Sequence, residues 1–138
     1  KAMGADAILL IAAALTPEDC QLLADTAHSL QLEVLLEVHQ ADELRYVTPE
    51  IDMLGVNNRN LGTFHTDVQN SVVMAENITD YLKGHPGCSP LLVAESGISK
   101  PETVRDLRQA GYRGFLIGET FMKTSCPGET LCEFVNHI

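Results

Sequence analysis

The sequence predicts an α/β fold built on a parallel sheet, and three observations lead there. Five short apolar runs punctuate the 138 residues: "DAILLIAA" (6–13), "EVLLEVH" (33–39), "IDMLGVN" (51–57), "LLVAES" (91–96) and "GFLIGE" (114–119). Each run is almost continuously apolar rather than alternating, which suits strands covered on both faces. Helical patterns separate the runs, so strand and helix alternate five times along the chain.

The first helical pattern, "TPEDCQLLADTAHSLQ", opens with Thr16 as N-cap and Pro17 at the first helical position. Leu22, Leu23, Ala27 and Leu30 supply its expected apolar stripe. A shorter helix is predicted over "ADELRYV". In "TDVQNSVVMAENITDYLKG", residues 66–84, the residues Val68, Val72, Ala75 and Leu82 share one face, and Gly84 suits the C-terminal cap. "SKPETVRDLRQAG" offers Ser99 and Glu102 as a capping box, Val104 and Leu107 as core residues, and Gly111 as a stop. The last helix is expected in "GETLCEFVNHI". No linker or low-complexity tract interrupts the chain, so residues 1–138 are expected to form a single domain. "KGHPGCSP" reads as a surface loop.

Composition narrows the function. The chain is 45% hydrophobic and carries 9 basic against 19 acidic residues, a net charge of −10. Nucleic acid and anionic membrane surfaces, which call for clustered Lys and Arg, are therefore not expected partners. No segment approaches the roughly 20 apolar residues of a membrane span, and nothing resembles a signal peptide. The cysteines, Cys20, Cys88, Cys126 and Cys132, are scattered without a CxxC or a nearby His pair. They read as reduced thiols of a cytoplasmic protein, with no metal site. A small anionic substrate remains compatible with the negative charge, because backbone N–H groups at helix starts can hold a phosphate.

The polar residues fall in a regular place. Glu37 lies near the end of the second run; Asn57, Asn58 and Arg59 end the third. Glu95 and Ser96 end the fourth, and Gly118 and Glu119 the fifth. In a parallel sheet these ends share one side, so together they line one pocket. Gly97 and Gly118 allow either close backbone approach to a phosphate or simply tight turns.

The segments "GADAILLI", "LLEVH", "GVNNRNLGTFHTD", "VAESGI" and "FLIGETFM", in this order and spacing, closely resemble the indole-3-glycerol phosphate synthase family. The resemblance covers essentially the whole chain. It implies a partial (β/α)8 TIM barrel holding five parallel βα units of eight, strands four to eight of a fold that usually runs to about 250 residues. It also implies the family reaction: 1-(2-carboxyphenylamino)-1-deoxyribulose 5-phosphate cyclises to indole-3-glycerol phosphate with loss of carbon dioxide and water, without metal or organic cofactor. Glu37 falls on the family's general base for the final dehydration, and Asn57 and Glu95 on catalytic residues that hold the substrate and its developing charge. Arg59 and Ser96 match substrate-binding positions; backbone groups of Gly97, Gly118 and Glu119 match the phosphate cradle.

The chain departs from the family pattern in one respect. The family's principal acid is a lysine near the end of the third barrel strand, with another lysine and a glutamate earlier. The lysines here are Lys1, Lys83, Lys100 and Lys123, and none aligns with the catalytic ones. Lys100 and Lys123 read as solvated loop charges. Five strands cannot close an eight-strand barrel, so the first and fifth are expected to present open edges. The expected partners are a phosphorylated small molecule, the N-terminal part of the barrel, and a further copy of the chain through those edges. The expected isolated chain, a fragment of a longer polypeptide, is inactive. Two alternatives stand beside this reading: an inactive half-barrel assembly module with a phosphate-binding half-site, or another phosphate-binding TIM barrel.

Overall fold

The structure, a computed structural model, describes residues 2–59 and 67–138. Lys1, and the segment 60–66 that completes the "NNRNLGTFHTD" motif and includes Thr66 of the second long helical pattern, lie outside the described residues. Five strands, β1 (Ala7–Ile11), β2 (Glu33–Val38), β3 (Met53–Asn57), β4 (Leu91–Glu95) and β5 (Gly114–Leu116), form one sheet in sequential order. Every neighbouring pair is parallel. Between them run α1 (Pro17–Ser29), α2 (Gln69–Gly84) and α3 (Pro101–Gln109), and α4 (Glu119–Met122) and α5 (Pro127–Asn136) follow. Two 3-10 turns, Ala12–Ala14 and Ala41–Tyr46, complete the order; the second occupies the place of the predicted short helix. No helix among the described residues is long and apolar enough to cross a membrane.

The two faces of the sheet differ. Side chains alternate along a strand, so the register assigns each to a face. Leu10, Val34, Leu36, Val38, Leu54, Val56 and Ala94 point to one face and are buried. Cys20, Ala24 and Ala27 of α1, Met74, Ala75 and Ile78 of α2, and Val104 and Leu107 of α3 join them in one core. On the opposite face the helices provide no cover: Leu9, Leu91 and Leu116 are each about half exposed. The sequence anticipated cover on both faces, and the described chain covers one. The second set of apolar positions is present but open, as the concave inner wall of an unclosed barrel.

Several local expectations hold. Thr16 accepts a hydrogen bond from the Asp19 N–H at 3.1 Å and caps α1, with Pro17 opening the helix. Gly111 has φ +109 and ends α3 as expected, since a left-handed residue there favours glycine. Others do not. The buried face of α1 is Cys20, Ala24 and Ala27, whereas Leu22, Leu23 and Leu30 are exposed. Small residues let that helix approach the sheet closely, and this outweighed the hydrophobicity of the leucines. The Ser99 capping box does not form: Lys100 is the N-cap of α3 and makes no side-chain cap bond. Gly84 is the last helical residue of α2, with His85 as the cap.

A buried polar bracket locks the C-terminal ends of β3 and β4 to α2. The Asn58 N–H donates to the Glu95 carbonyl (2.9 Å), and Asn58 Nδ2 donates to the Ser96 carbonyl (3.2 Å). Asn58 Oδ1 accepts from both the N–H (3.0 Å) and the hydroxyl (2.8 Å) of Ser71. The Tyr112 hydroxyl, whose pKa burial pushes up to about 12, donates to the Ser71 carbonyl at 2.7 Å. Every member is satisfied, so removing one leaves buried donors or acceptors without partners. Asn58→Ala should therefore lower stability by about 2–4 kcal/mol and Tyr112→Phe by about 1–2 kcal/mol, measured by urea unfolding. Equal small losses from both would contradict the central place of Asn58.

Candidate active site

The site forms where β2, β3, β4 and β5 end. The register sets Glu37 beside Gly55 and Asn57 beside Glu95, so all three polar side chains stand on the open inner face. Asn57 Nδ2 donates to Glu37 Oε1 at 3.0 Å, and Asn57 Oδ1 accepts from the Arg59 N–H at 3.0 Å. The side-chain amide thus links the Glu37 carboxylate to the start of the following loop.

Gly55 makes the next contact possible. A Cβ built there would lie 1.9 Å from Glu95 Oε1, so only a residue without a side chain leaves room for that carboxyl. Through this gap the Glu95 side chain, itself buried, comes up beside Glu37, and its Oε1 has no hydrogen-bond partner. Burial and the Glu37 charge push the Glu95 pKa up to about 8. Two close carboxyls in a poorly solvated place do not both ionise, so they share a proton near neutrality, and Glu95 holds it.

Beyond Glu95 the backbone turns sharply. Ser96 (φ 65) and Gly97 (φ 75) are consecutive left-handed residues, a conformation rare for serine. The turn opens a cavity of about 760 Å³, lined by Arg59, Glu95, Ser96, Gly97, Gly118 and Glu119 together with Ile98, Ser99, Thr120 and Lys123. Six of the eight residues singled out from sequence therefore share one cavity. Glu37 and Asn57 are outside its lining and join it through their contacts with Glu95 and Arg59. Arg59 Nη2 pairs with Glu119 Oε2 at 3.1 Å across the mouth, while its buried Nε has no partner. Gly118 caps the one-turn helix α4, and a Cβ added to it would meet nothing within 4 Å. Packing therefore does not demand a glycine there, and the space above it is free. The Thr120 hydroxyl donates to the Ile98 carbonyl at 2.7 Å and ties α4 to the loop after β4.

Sequence reasoning missed Gly55, His39, Thr120 and the cavity position of Lys123, which had read as a solvated loop charge. A glycine inside an otherwise apolar strand was the available signal for Gly55. Among the described residues, no group of three or more His, Cys, Asp or Glu is arranged to hold a metal ion.

Parallel βα units whose polar residues gather at the C-terminal ends of the strands define part of a (β/α) barrel with its active-site face. Residues 1–132 match the family model described as indole-3-glycerol phosphate synthase. The chain belongs to the indole-3-glycerol phosphate synthase family. It is 59% identical over 138 residues to the indole-3-glycerol phosphate synthase of Bacteroides thetaiotaomicron, covering 100% of this chain and 50% of that protein. With the enzyme of the same name from Koribacter versatilis it shares 46% identity over 136 residues, covering 98% and 49%. The chain thus spans about half the length of these curated relatives. Among solved structures it resembles 3-hexulose-6-phosphate synthase (TM-score 0.72, 12% identity, 98% of this chain and 63% of that one). The Salmonella typhimurium protein of that name gives a TM-score of 0.63 at 16% identity, with 97% and 62% covered. At such identities the likeness is one of fold, and it is the fold of a partial barrel.

The raised Glu95 pKa has a sign that can be tested. In the unfolded chain the carboxyl ionises near 4.5, whereas in the fold it keeps its proton until about 8. The folded state therefore holds the extra proton between those values, and stability falls as pH rises through them. Glu95→Gln supplies a neutral side chain of the same shape. The variant should lose much of that pH dependence and, above about pH 8, exceed the wild type by on the order of 2 kcal/mol in urea unfolding. A wild-type profile that is flat across this range would contradict the shared proton.

Proposed function

We propose that the intact polypeptide containing this chain is an indole-3-glycerol phosphate synthase, a carbon–carbon lyase of tryptophan biosynthesis. It converts 1-(2-carboxyphenylamino)-1-deoxyribulose 5-phosphate to indole-3-glycerol phosphate, carbon dioxide and water. The observation that carries this reading is the joining of Glu37, Asn57 and Glu95 at the ends of three adjacent strands, in a chain of this family.

In this reading the aryl carbon attacks the substrate ketone, whose oxygen takes a proton, and carbon dioxide then leaves. Loss of the resulting hydroxyl and of a ring proton restores aromaticity. Glu37, aimed by the Asn57 amide, accepts that last proton. Glu95, carrying its proton, donates a hydrogen bond to the polar groups of the sugar chain, and Ser96 lines the same wall. The phosphate occupies the cavity between the left-handed turn at Gly97 and the start of α4 at Gly118 and Glu119, where backbone N–H groups can approach it. Arg59 then exchanges its exposed pairing with Glu119 for the substrate anion. No metal or organic cofactor takes part.

The ketone's proton comes, by family resemblance, from a lysine on an earlier barrel strand. The described chain and that earlier part are thus partners in one site, and the setting is cytoplasmic. The half-exposed Leu9, Leu91 and Leu116 favour a second reading for the chain by itself, an assembly module without chemistry that associates through its open face and edges.

Fluorescence of the indole product tests both. The chain alone should give no turnover, and mixing it with a polypeptide carrying the first three βα units should restore it. In that mixture Glu37→Gln should lower kcat by about 100-fold or more. Turnover by the chain alone would overturn the requirement for the earlier lysine, and an inert mixture would favour the assembly module.

A further inference from the structure

His39 sits just past β2, two residues beyond Glu37, and strand alternation brings its ring to the same side. The side chain is 14% exposed, and neither ring nitrogen makes a hydrogen bond. Yet each nitrogen faces a buried carboxylate. Nε2 lies 3.4 Å from Glu37 Oε1, and Nδ1 lies 3.9 Å from Glu43 Oε2. Glu43 is itself fixed as an acceptor, because its Oε2 receives the backbone N–H of His39 at 2.6 Å and of Gln40 at 3.2 Å. Glu37 is fixed from the other side by Asn57. From α2, Asn70 Nδ2 donates to the His39 carbonyl at 3.3 Å and steadies the backbone beneath the ring.

An imidazole between two fixed acceptors has one fitting form. A neutral ring would aim a lone pair at one of the carboxylates, whereas a ring with both nitrogens bearing hydrogen offers an N–H to each. We infer that His39 is a positioning residue for Glu37: as a cation between Glu37 and Glu43, it fixes the place of the Glu37 carboxylate at the end of β2.

This rests on the reading of Glu37 as the base, and it explains why two touching carboxyls take different forms. Glu37 has a cation and an amide on its flanks. Glu95, approaching through the gap at Gly55, has the Glu37 charge beside it and no hydrogen-bond partner for its Oε1, so the shared proton goes to Glu95. Glu43, with no substrate within reach in this reading, serves as the far anchor of the bridge.

The test begins with the chain itself, labelled with nitrogen-15 at histidine, and needs no turnover. At neutral pH both ring nitrogens of His39, assigned by their loss in His39→Asn, should carry protons. In Glu43→Gln one of them should lose its proton. A wild-type His39 with one bare ring nitrogen, or a ring unchanged by Glu43→Gln, would overturn the bridge. In the mixture that restores the barrel, Glu43→Gln and His39→Asn should each lower kcat by about tenfold and leave KM within about twofold, since neither residue binds the substrate. An unchanged kcat in both variants would sink the positioning role. A doubly protonated ring in a mixture that never turns over would support the bridge and count against the proposed reaction alone.

Discussion

The register of the parallel sheet is the constraint on which the site depends. Glu37 stands level with Gly55, and Asn57 with Glu95, so three polar side chains rise from neighbouring strands on one face. A slip of one residue in β3 would exchange its faces, driving Asn57 into the helix-covered core and Val56 into the site. The apolar residues that pin the register, Val34, Leu36, Leu54 and Val56 among them, are buried without exception. Helix packing on the outer face therefore sets the geometry of the chemistry on the inner one.

The same arrangement concentrates negative charge in a chain that already carries a net −10. Glu37, Glu43 and Glu95 are all buried near one strand end. Each is handled differently. Glu43 is satisfied by backbone N–H groups, Glu37 by the Asn57 amide, and Glu95 by keeping its proton. Uniform treatment would fail, since three ionised carboxylates this close would repel one another in a medium that screens poorly. Diversity of environment is what lets three buried carboxyls sit together in one place.

Much of this was readable in the sequence, for definite reasons. Parallel strands carry their polar residues at one end, so Glu37, Asn57, Glu95 and Glu119 stood out before any coordinates. The family motifs then attached roles to them and to Arg59, Ser96, Gly97 and Gly118. What escaped depends on packing and on backbone geometry that residue types alone do not specify. The leucines of α1 outrank Cys20, Ala24 and Ala27 on any hydrophobicity scale, yet the small residues face the sheet because they permit close approach. Ser99 has the chemistry of a cap, but the chain becomes helical one residue too late for it to act. His39 drew no reading of its own from the sequence, because its approach to Glu43 depends on the 3-10 turn. Gly55 gave a weak signal whose meaning required seeing Glu95 across the sheet.

The Asn58 bracket has a bearing on how the surrounding chain can change over evolution. Besides binding β4 and α2 through its side chain, Asn58 accepts the Asp67 N–H at its carbonyl (3.0 Å), so one residue meets β4, α2 and the residue that leads into α2. The partners on β4 are backbone carbonyls, which any side chain at those positions would supply, whereas Ser71 contributes its hydroxyl as well. Substitution is therefore least free at Asn58 and Ser71, and the rest of the frame can diverge between related proteins while the carboxyl cluster beside it keeps its place.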